Sequence, residues 1–159
     1  MNAPRERLSV AFVCTGNICR SPMAAQVFRA ELTLVGLADQ VTVISAGTGD
    51  WHIGNPADER AVALLRERGY PVDHVARQVD AAVLAADLLI ALDDDHVRAL
   101  RRSVAEPDRV RLLRSFDPDA PAGAEVPDPY YGGSEGFVEV LGMIEAAMPG
   151  LLDWVKSRL

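Results

Sequence analysis

Apolar residues along this chain come in short runs separated by polar, glycine-containing turns. Residues 8–13 form a run rich in Val and Phe that ends at Cys14, which reads as a buried strand. After a Thr15-Gly16-Asn17 turn signal comes Ser21-Pro22, a capping Ser followed by a Pro suited to the first helical position. An apolar series at helical spacing follows (Met23, Val27, Ala30, Leu34) and stops at Gly36. Residues 41–45 predict a second strand. Asn55-Pro56 then caps a helix that carries Val62 and Leu65 and closes at Gly69. Residues 87–92 predict a third strand, 94–104 a helix and 109–113 a fourth strand. This alternation predicts an α/β fold, a three-layer sandwich in which a four-stranded parallel sheet is flanked by helices on both faces.

Residues 115–133 break the pattern: Pro118, Pro121, Pro127, Pro129 and several glycines occur with no periodicity. A loop this long inside a compact domain is usually functional or disordered. Helical spacing returns from Ser134 (Phe137, Leu141, Ile144), and Pro149-Gly150 is expected to break or restart the helix before residues 151–159. No internal repeat or linker divides the chain, and its 159 residues suit a single domain over 1–159.

Composition narrows the class. Hydrophobic residues at 49% and charged residues at 25% describe a folded globular chain, too apolar for intrinsic disorder. The longest nearly apolar stretch, 81–92, is interrupted by Asp87 and falls short of a bilayer span. Arg5 and Arg7 precede an apolar run too short for a signal-peptide core, so a cytoplasmic location is expected. A net charge of −7 repels polyanions, which makes nucleic acid an unsuitable partner. Fifteen of the 16 basic residues are Arg, a ratio that by itself implies nothing about binding. The two cysteines, Cys14 and Cys19, are too few for a disulfide scaffold, and with three scattered histidines they make no zinc-ligand spacing.

The thiols acquire meaning from their place. Cys14-Thr15-Gly16-Asn17-Ile18-Cys19-Arg20-Ser21 joins the first strand to the first helix. In a parallel α/β sheet, ligands bind beyond the carboxyl ends of the strands, where a helix N-terminus presents unpaired N–H groups and a positive dipole end. Gly16 and Asn17 tolerate positive φ, so the loop can curl with its amides inward as an anion-binding nest. The dipole, the amides, Arg20 and the Ser21 hydroxyl all favour negative charge on the Cys14 sulfur, which makes it a nucleophile at neutral pH. Arg20 offers a planar fork for two oxygens of a tetrahedral anion and can follow them as in-line attack proceeds. Phosphoryl transfer is the chemistry this pocket suits. Cys14 could otherwise be a buried core thiol, and for Cys19 that reading is the stronger one, although the two could pair under oxidation.

Thiolate attack on a phosphate monoester expels an alkoxide or phenoxide, which calls for a proton donor. Asp128 is the candidate, in Val126-Pro127-Asp128-Pro129-Tyr130-Tyr131-Gly132-Gly133, where flanking prolines restrict its backbone and two aromatic rings follow. A rigid acid beside a flat apolar wall fits an aryl leaving group. Taken alone, the stretch reads equally well as a turn Asp with surface tyrosines.

With VCTGNICRSP near the start and DPYYG near the end, the chain resembles the low-molecular-weight protein tyrosine phosphatases of bacterial type over almost its whole length. The resemblance implies Cys14 as nucleophile, Arg20 as phosphate-binding arginine, Asp128 as general acid and Ser21 as the hydroxyl that stabilises the thiolate. It implies that Thr15, Gly16, Asn17, Ile18 and Cys19 form the phosphate-binding loop, and that Asn17 with Ser45 and His74 is the network that holds it. Trp51, Tyr130 and Tyr131 match the aromatic walls, and Asp93 matches an aspartate placed near the arginine. Two departures stand out: Ala25 where the family commonly has Glu, and Asp94-Asp95-His96 in place of a segment with a usual asparagine.

From residue type alone, His74 is as readily a satisfied polar residue near the core, and Trp51 a core aromatic. Asp93 to His96 could suggest metal, but a helix N-cap explains this Asp-rich turn better, so no metal and no cofactor are expected. The expected activity is hydrolysis of phosphotyrosine and small aryl phosphates through a phosphocysteine intermediate. Phosphotyrosine proteins are the implied partners, with a cognate tyrosine kinase as an opposing enzyme, and the chain is expected to be monomeric. Two rival readings are an arsenate reductase on the same fold, which would want cysteines beyond the loop, and a phosphotyrosine-binding or redox-sensing module without turnover.

Overall fold

The computed structural model describes residues 7–159; Arg5, weighed above as part of a leader, lies outside them. Four strands, β1 (Leu8–Cys14), β2 (Val41–Gly47), β3 (Leu88–Ala91) and β4 (Val110–Leu112), form one sheet in the order β2-β1-β3-β4. Every pairing is parallel, with Phe12 opposite Ser45 on one side and Ile90 on the other. The chain leaves β1 towards β2 and later returns to its other side as β3, so the loop after β1 opens at a topological switch point, where α/β sheets bind ligands.

Side-chain alternation along β1 sorts the helices into two layers. Val10, Phe12 and Cys14 point into a core shared with α1 (Arg20–Leu34), α2 (Glu59–Glu67) and α5 (Ser134–Arg158). Ala11 and Val13 point the other way, towards Val83 of α3 (Ala81–Leu84) and Val97 and Leu100 of α4 (Asp94–Arg101). This is the expected three-layer α/β sandwich, with a sheet buried on both faces as parallel sheets require.

The outer strands carry arginines on their carbonyls. Arg7 donates to Val41 O at 3.1 Å and Arg29 to Val43 O at 2.9 Å on β2, while Arg101 donates to Val110 O at 3.1 Å on β4.

Several boundaries differ from the sequence reading. Helix α1 begins at Arg20, one residue before the expected cap, so Ser21 lies inside the first turn and its hydroxyl is turned to other use. Pro22 still falls where its missing N–H costs nothing. Helix α2 is capped by Asp58, whose carboxylate accepts from Arg60 N, and not by Asn55-Pro56. The short α3, capped by Asp80, was hidden in an apolar stretch that gave no period. Helix α4 stops at Arg101 rather than at 104.

Pro149 does not break α5, which runs 25 residues without interruption. Met148, Leu151, Leu152 and Val155 are buried around the proline, and their burial, at about 1.5–3 kcal/mol each, outweighs the roughly 3 kcal/mol a helical proline costs. Gly150 serves contact: a Cβ there would lie 2.1 Å from Phe116 O.

Candidate active site

The loop between β1 and α1 is closed by its own asparagine. Asn17 adopts φ 57°, the left-handed conformation that Asn accepts more readily than most residues, and it is 1% exposed. Its amide Nδ2 donates to Ser21 Oγ at 2.8 Å and to Ser45 Oγ at 3.0 Å, while its Oδ1 accepts from Arg77 N at 2.9 Å. Its backbone carbonyl accepts from His74 Nε2 at 2.6 Å, which requires that nitrogen to carry the proton. Burial pushes the His74 imidazole below its ordinary range, consistent with a neutral ring. Asn17, Ser45 and His74 thus meet in one network around the loop.

That network orients a hydroxyl. Because Ser21 Oγ accepts from Asn17, its own proton is free to point at Cys14 Sγ, 2.8 Å away. The alternative acceptor, Ala46 O, is at 3.5 Å. Cys14 ends β1, an inner strand of the sheet, and Ser21 brings the first turn of α1 against its sulfur.

Arg20 is 3% exposed and held on its protein side. One terminal nitrogen donates to Asp93 Oδ2 at 2.8 Å and to Val126 O at 3.0 Å. The other lies 3.7 Å from Asp128 Oδ2. Asp93 is also the N-cap of α4, closing a capping box with His96. The two aspartates that follow, Asp94 and Asp95, both pair with Arg98. Burial opposes charge on Asp93, but the hydrogen bond from Arg20 and the contact with His96 outweigh it and hold the carboxyl below the usual carboxylate range.

Above the sulfur is a cavity of about 420 Å³, lined by Cys14, Thr15, Gly16, Ile18, Cys19, Arg20, Trp51, His52, Asp128, Tyr130 and Tyr131. Asn17 and Ser21 lie beneath it. Cys19 is buried, and burial, reinforced by Asp58, Cys14 and Asp128, pushes its thiol up to about 12. Trp51 is no core residue: it is 71% exposed and rests on Gly49, where any Cβ would fall 1.9 Å from the ring. Tyr130 and Tyr131 pack edge to face at 5.1 Å, and Tyr131 is 87% exposed.

A profile of the family described as low molecular weight phosphotyrosine protein phosphatase matches residues 9–159, from the first strand through the last helix. The chain belongs to this family. It is 58% identical over 153 residues to low molecular weight protein-tyrosine phosphatase A of Mycobacterium tuberculosis, covering 96% of this chain and 94% of that one. Among solved structures it is similar to the protein tyrosine phosphatase of Entamoeba histolytica with Hepes in the active site. There the TM-score is 0.89 and the identity 33%, with 94% and 97% of the two chains covered. A further match is a chain described as YwlE arginine phosphatase, a mutant with a phosphorylated active-site serine; its TM-score is 0.83, its identity 28% and its coverage 94% and 96%.

Sequence reasoning overlooked several residues that the structure brings to this cavity or to the loop beneath it. His52 lines the cavity beside Trp51, its ring 6.3 Å from that of Tyr130. His96 reaches the Thr15 hydroxyl at 2.8 Å through Nε2. Val126 contributes only a carbonyl, which no side-chain pattern reveals. Gly47, at the end of β2, approaches so closely that a Cβ there would lie 2.6 Å from Thr15 O.

Proposed function

We propose that this chain hydrolyses phosphotyrosine and small aryl phosphates through a phosphocysteine intermediate. Cys14 Sγ attacks phosphorus in line, the P–O bond to the phenol breaks, and the leaving oxygen takes a proton from Asp128. Arg20 holds two of the equatorial oxygens and the loop amides hold the rest, which stabilises the charge of the transition state. In the second step Asp128, now a carboxylate, takes a proton from water; the water oxygen bonds to phosphorus and the S–P bond breaks. Ser21 donates to the departing sulfur. No cofactor enters either step.

The observation that carries the reading is the convergence on one cavity of the Cys14 sulfur, hydrogen-bonded by Ser21, with the Arg20 guanidinium and the Asp128 carboxylate 3.7 Å from it. The aromatic rim of Trp51, Tyr130 and Tyr131 supports an aryl ester over a serine phosphate, because a flat ring gains contact area there that a short alkyl chain does not. Proteins bearing phosphotyrosine are the corresponding substrates, a tyrosine kinase is the natural opposing activity, and the cytoplasm is the matching compartment. Among the described residues no helix is long and apolar enough to cross a membrane.

The kinship with a chain described as an arginine phosphatase makes phosphoarginine the competing substrate. The test offers phosphotyrosine, phosphoserine and phosphoarginine peptides to the wild type and to Cys14→Ser, reading phosphate release and covalent phosphate on the protein. Preferred release from phosphotyrosine, abolished in Cys14→Ser, is expected. Retained turnover in Cys14→Ser would overturn the mechanism, and preferred release from phosphoarginine would overturn the substrate. Tight binding without turnover by the wild type would return the site to a binding module, and arsenate reduction would make it a reductase.

A further inference from the structure

Asp128 stands on a loop, and a general acid must be held to within a fraction of an ångström of the oxygen it protonates. Two tethers hold this loop, one on each side. Before Asp128, Val126 N donates to Leu92 O at 2.8 Å and Val126 O accepts from Arg20. After it, the carbonyls of Tyr130 and Gly132 both accept from a single residue, Arg60, at 3.0 and 2.8 Å.

Arg60 is itself fixed. Its Nε and one terminal nitrogen grip the two oxygens of Asp58 at 3.0 Å each, a fork-to-fork pair. Its guanidinium carbon lies 4.6 Å from the ring centre of Phe137, on the first turns of α5. Asp58 is anchored in turn: its backbone N–H donates to Ile18 O at 2.8 Å, inside the loop that surrounds the Cys14 sulfur, and its carboxylate caps α2 through Arg60 N. The hydrogen bond from Arg60 holds the Asp58 carboxyl below the usual carboxylate range despite partial burial, so the pair stays charged at neutral pH.

A continuous bracket therefore runs from the phosphate loop through Asp58 and Arg60 to the far side of the Asp128 loop. We infer that Arg60 is a positioning residue for proton donation: it holds the loop bearing Asp128 in register with Cys14 without touching the substrate. The inference rests on the acid role proposed for Asp128. Lysine can replace Arg60 only in part, since one ammonium cannot grip both Asp58 oxygens and two carbonyls lying in different directions.

The experiment compares kcat/KM for phenyl phosphate, whose leaving group needs a proton, with p-nitrophenyl phosphate, whose leaving group hardly does. It uses the wild type, Arg60→Ala, Arg60→Lys, Asp128→Ala and the double variant Arg60→Ala/Asp128→Ala, with the inhibition constant of inorganic phosphate measured for each. Acid catalysis is worth ~10²- to 10⁴-fold. Arg60→Ala is expected to lower phenyl phosphate turnover by about 10- to 100-fold and p-nitrophenyl phosphate turnover by about 3-fold or less, with Arg60→Lys between it and wild type. Phosphate inhibition should stay within about twofold of wild type, and Arg60→Ala should add little once Asp128 is gone. Equal losses on both substrates, or the full loss repeated in the Asp128→Ala background, would overturn the inference. If Arg60→Ala melts below the assay temperature, the same substrate ratio in Arg60→Lys decides. Wild-type silence on both substrates, or an Asp128→Ala variant indifferent to leaving group, would instead sink the function or the acid on which this rests.

Discussion

The imidazole of His96 reaches across 81 residues to the Thr15 hydroxyl and ties it to Asp93. Nε2 lies 2.8 Å from the Thr15 hydroxyl on the loop between β1 and α1, while Nδ1 faces the backbone N–H and carboxylate of Asp93, the residue that holds Arg20. The ring is 2% exposed, and burial pushes it below its ordinary range although Asp93 pulls the other way.

Buried neutral imidazoles make stability depend on pH. The unfolded chain takes up protons on His74 and His96 around the ordinary value of about 6.5, whereas the folded chain resists until lower pH. Their contribution is therefore complete above that value and is lost as pH falls through the depressed folded values. Asp58, Asp80 and Asp93, held low, act only below the ordinary carboxylate range, outside this window. The melting temperature should fall between pH 7 and pH 5, and less steeply in His74→Asn and His96→Asn. Identical slopes in wild type and both variants would show that these rings do not carry the effect.

The two thiols should differ sharply in reactivity. With its thiol pushed up to about 12 and its side chain buried, Cys19 offers almost no thiolate at neutral pH. Iodoacetamide at pH 7.5, followed by peptide-resolved mass spectrometry, should modify Cys14, with inorganic phosphate protecting it, and leave Cys19 free until the chain is denatured. Comparable labelling of both in the folded protein would contradict this.

Gly47 tests how tightly the loop between β1 and α1 is braced from behind. Its substitution by Ala brings a methyl to 2.6 Å from Thr15 O, which belongs to backbone and cannot swing away, so the loop must shift. Gly47→Ala should lower kcat/KM on the order of 10- to 100-fold, the scale of a misplaced catalytic group. Steady-state kinetics at wild-type KM and kcat would mean the loop absorbs the intrusion.

The parts of this protein legible in its sequence are those that are contiguous. Cys14, Asn17, Arg20 and Ser21 fall within eight positions between a clear strand and a clear helix, so their meeting needs no knowledge of the fold. The four strands declare themselves as Val- and Leu-rich runs because a doubly covered sheet must be apolar on both faces. Arg60 and His96 were not legible, since they act across 70 to 81 residues and on their own helices look like ordinary surface and capping residues. Pro149 misled for the opposite reason: its local rule is sound, but the packing of α5 against α1 and the turn at Leu113–Phe116 overrides it.

The arginines set along the sheet margins give the composition a meaning it lacked at first. An outermost strand with bare carbonyls is a template on which another polypeptide can add a strand and start an aggregate. Here Val41, Val43 and Val110 each spend an oxygen on a guanidinium from within the same chain, so the template is already taken. A strand adding to either margin would first have to displace these guanidinium groups.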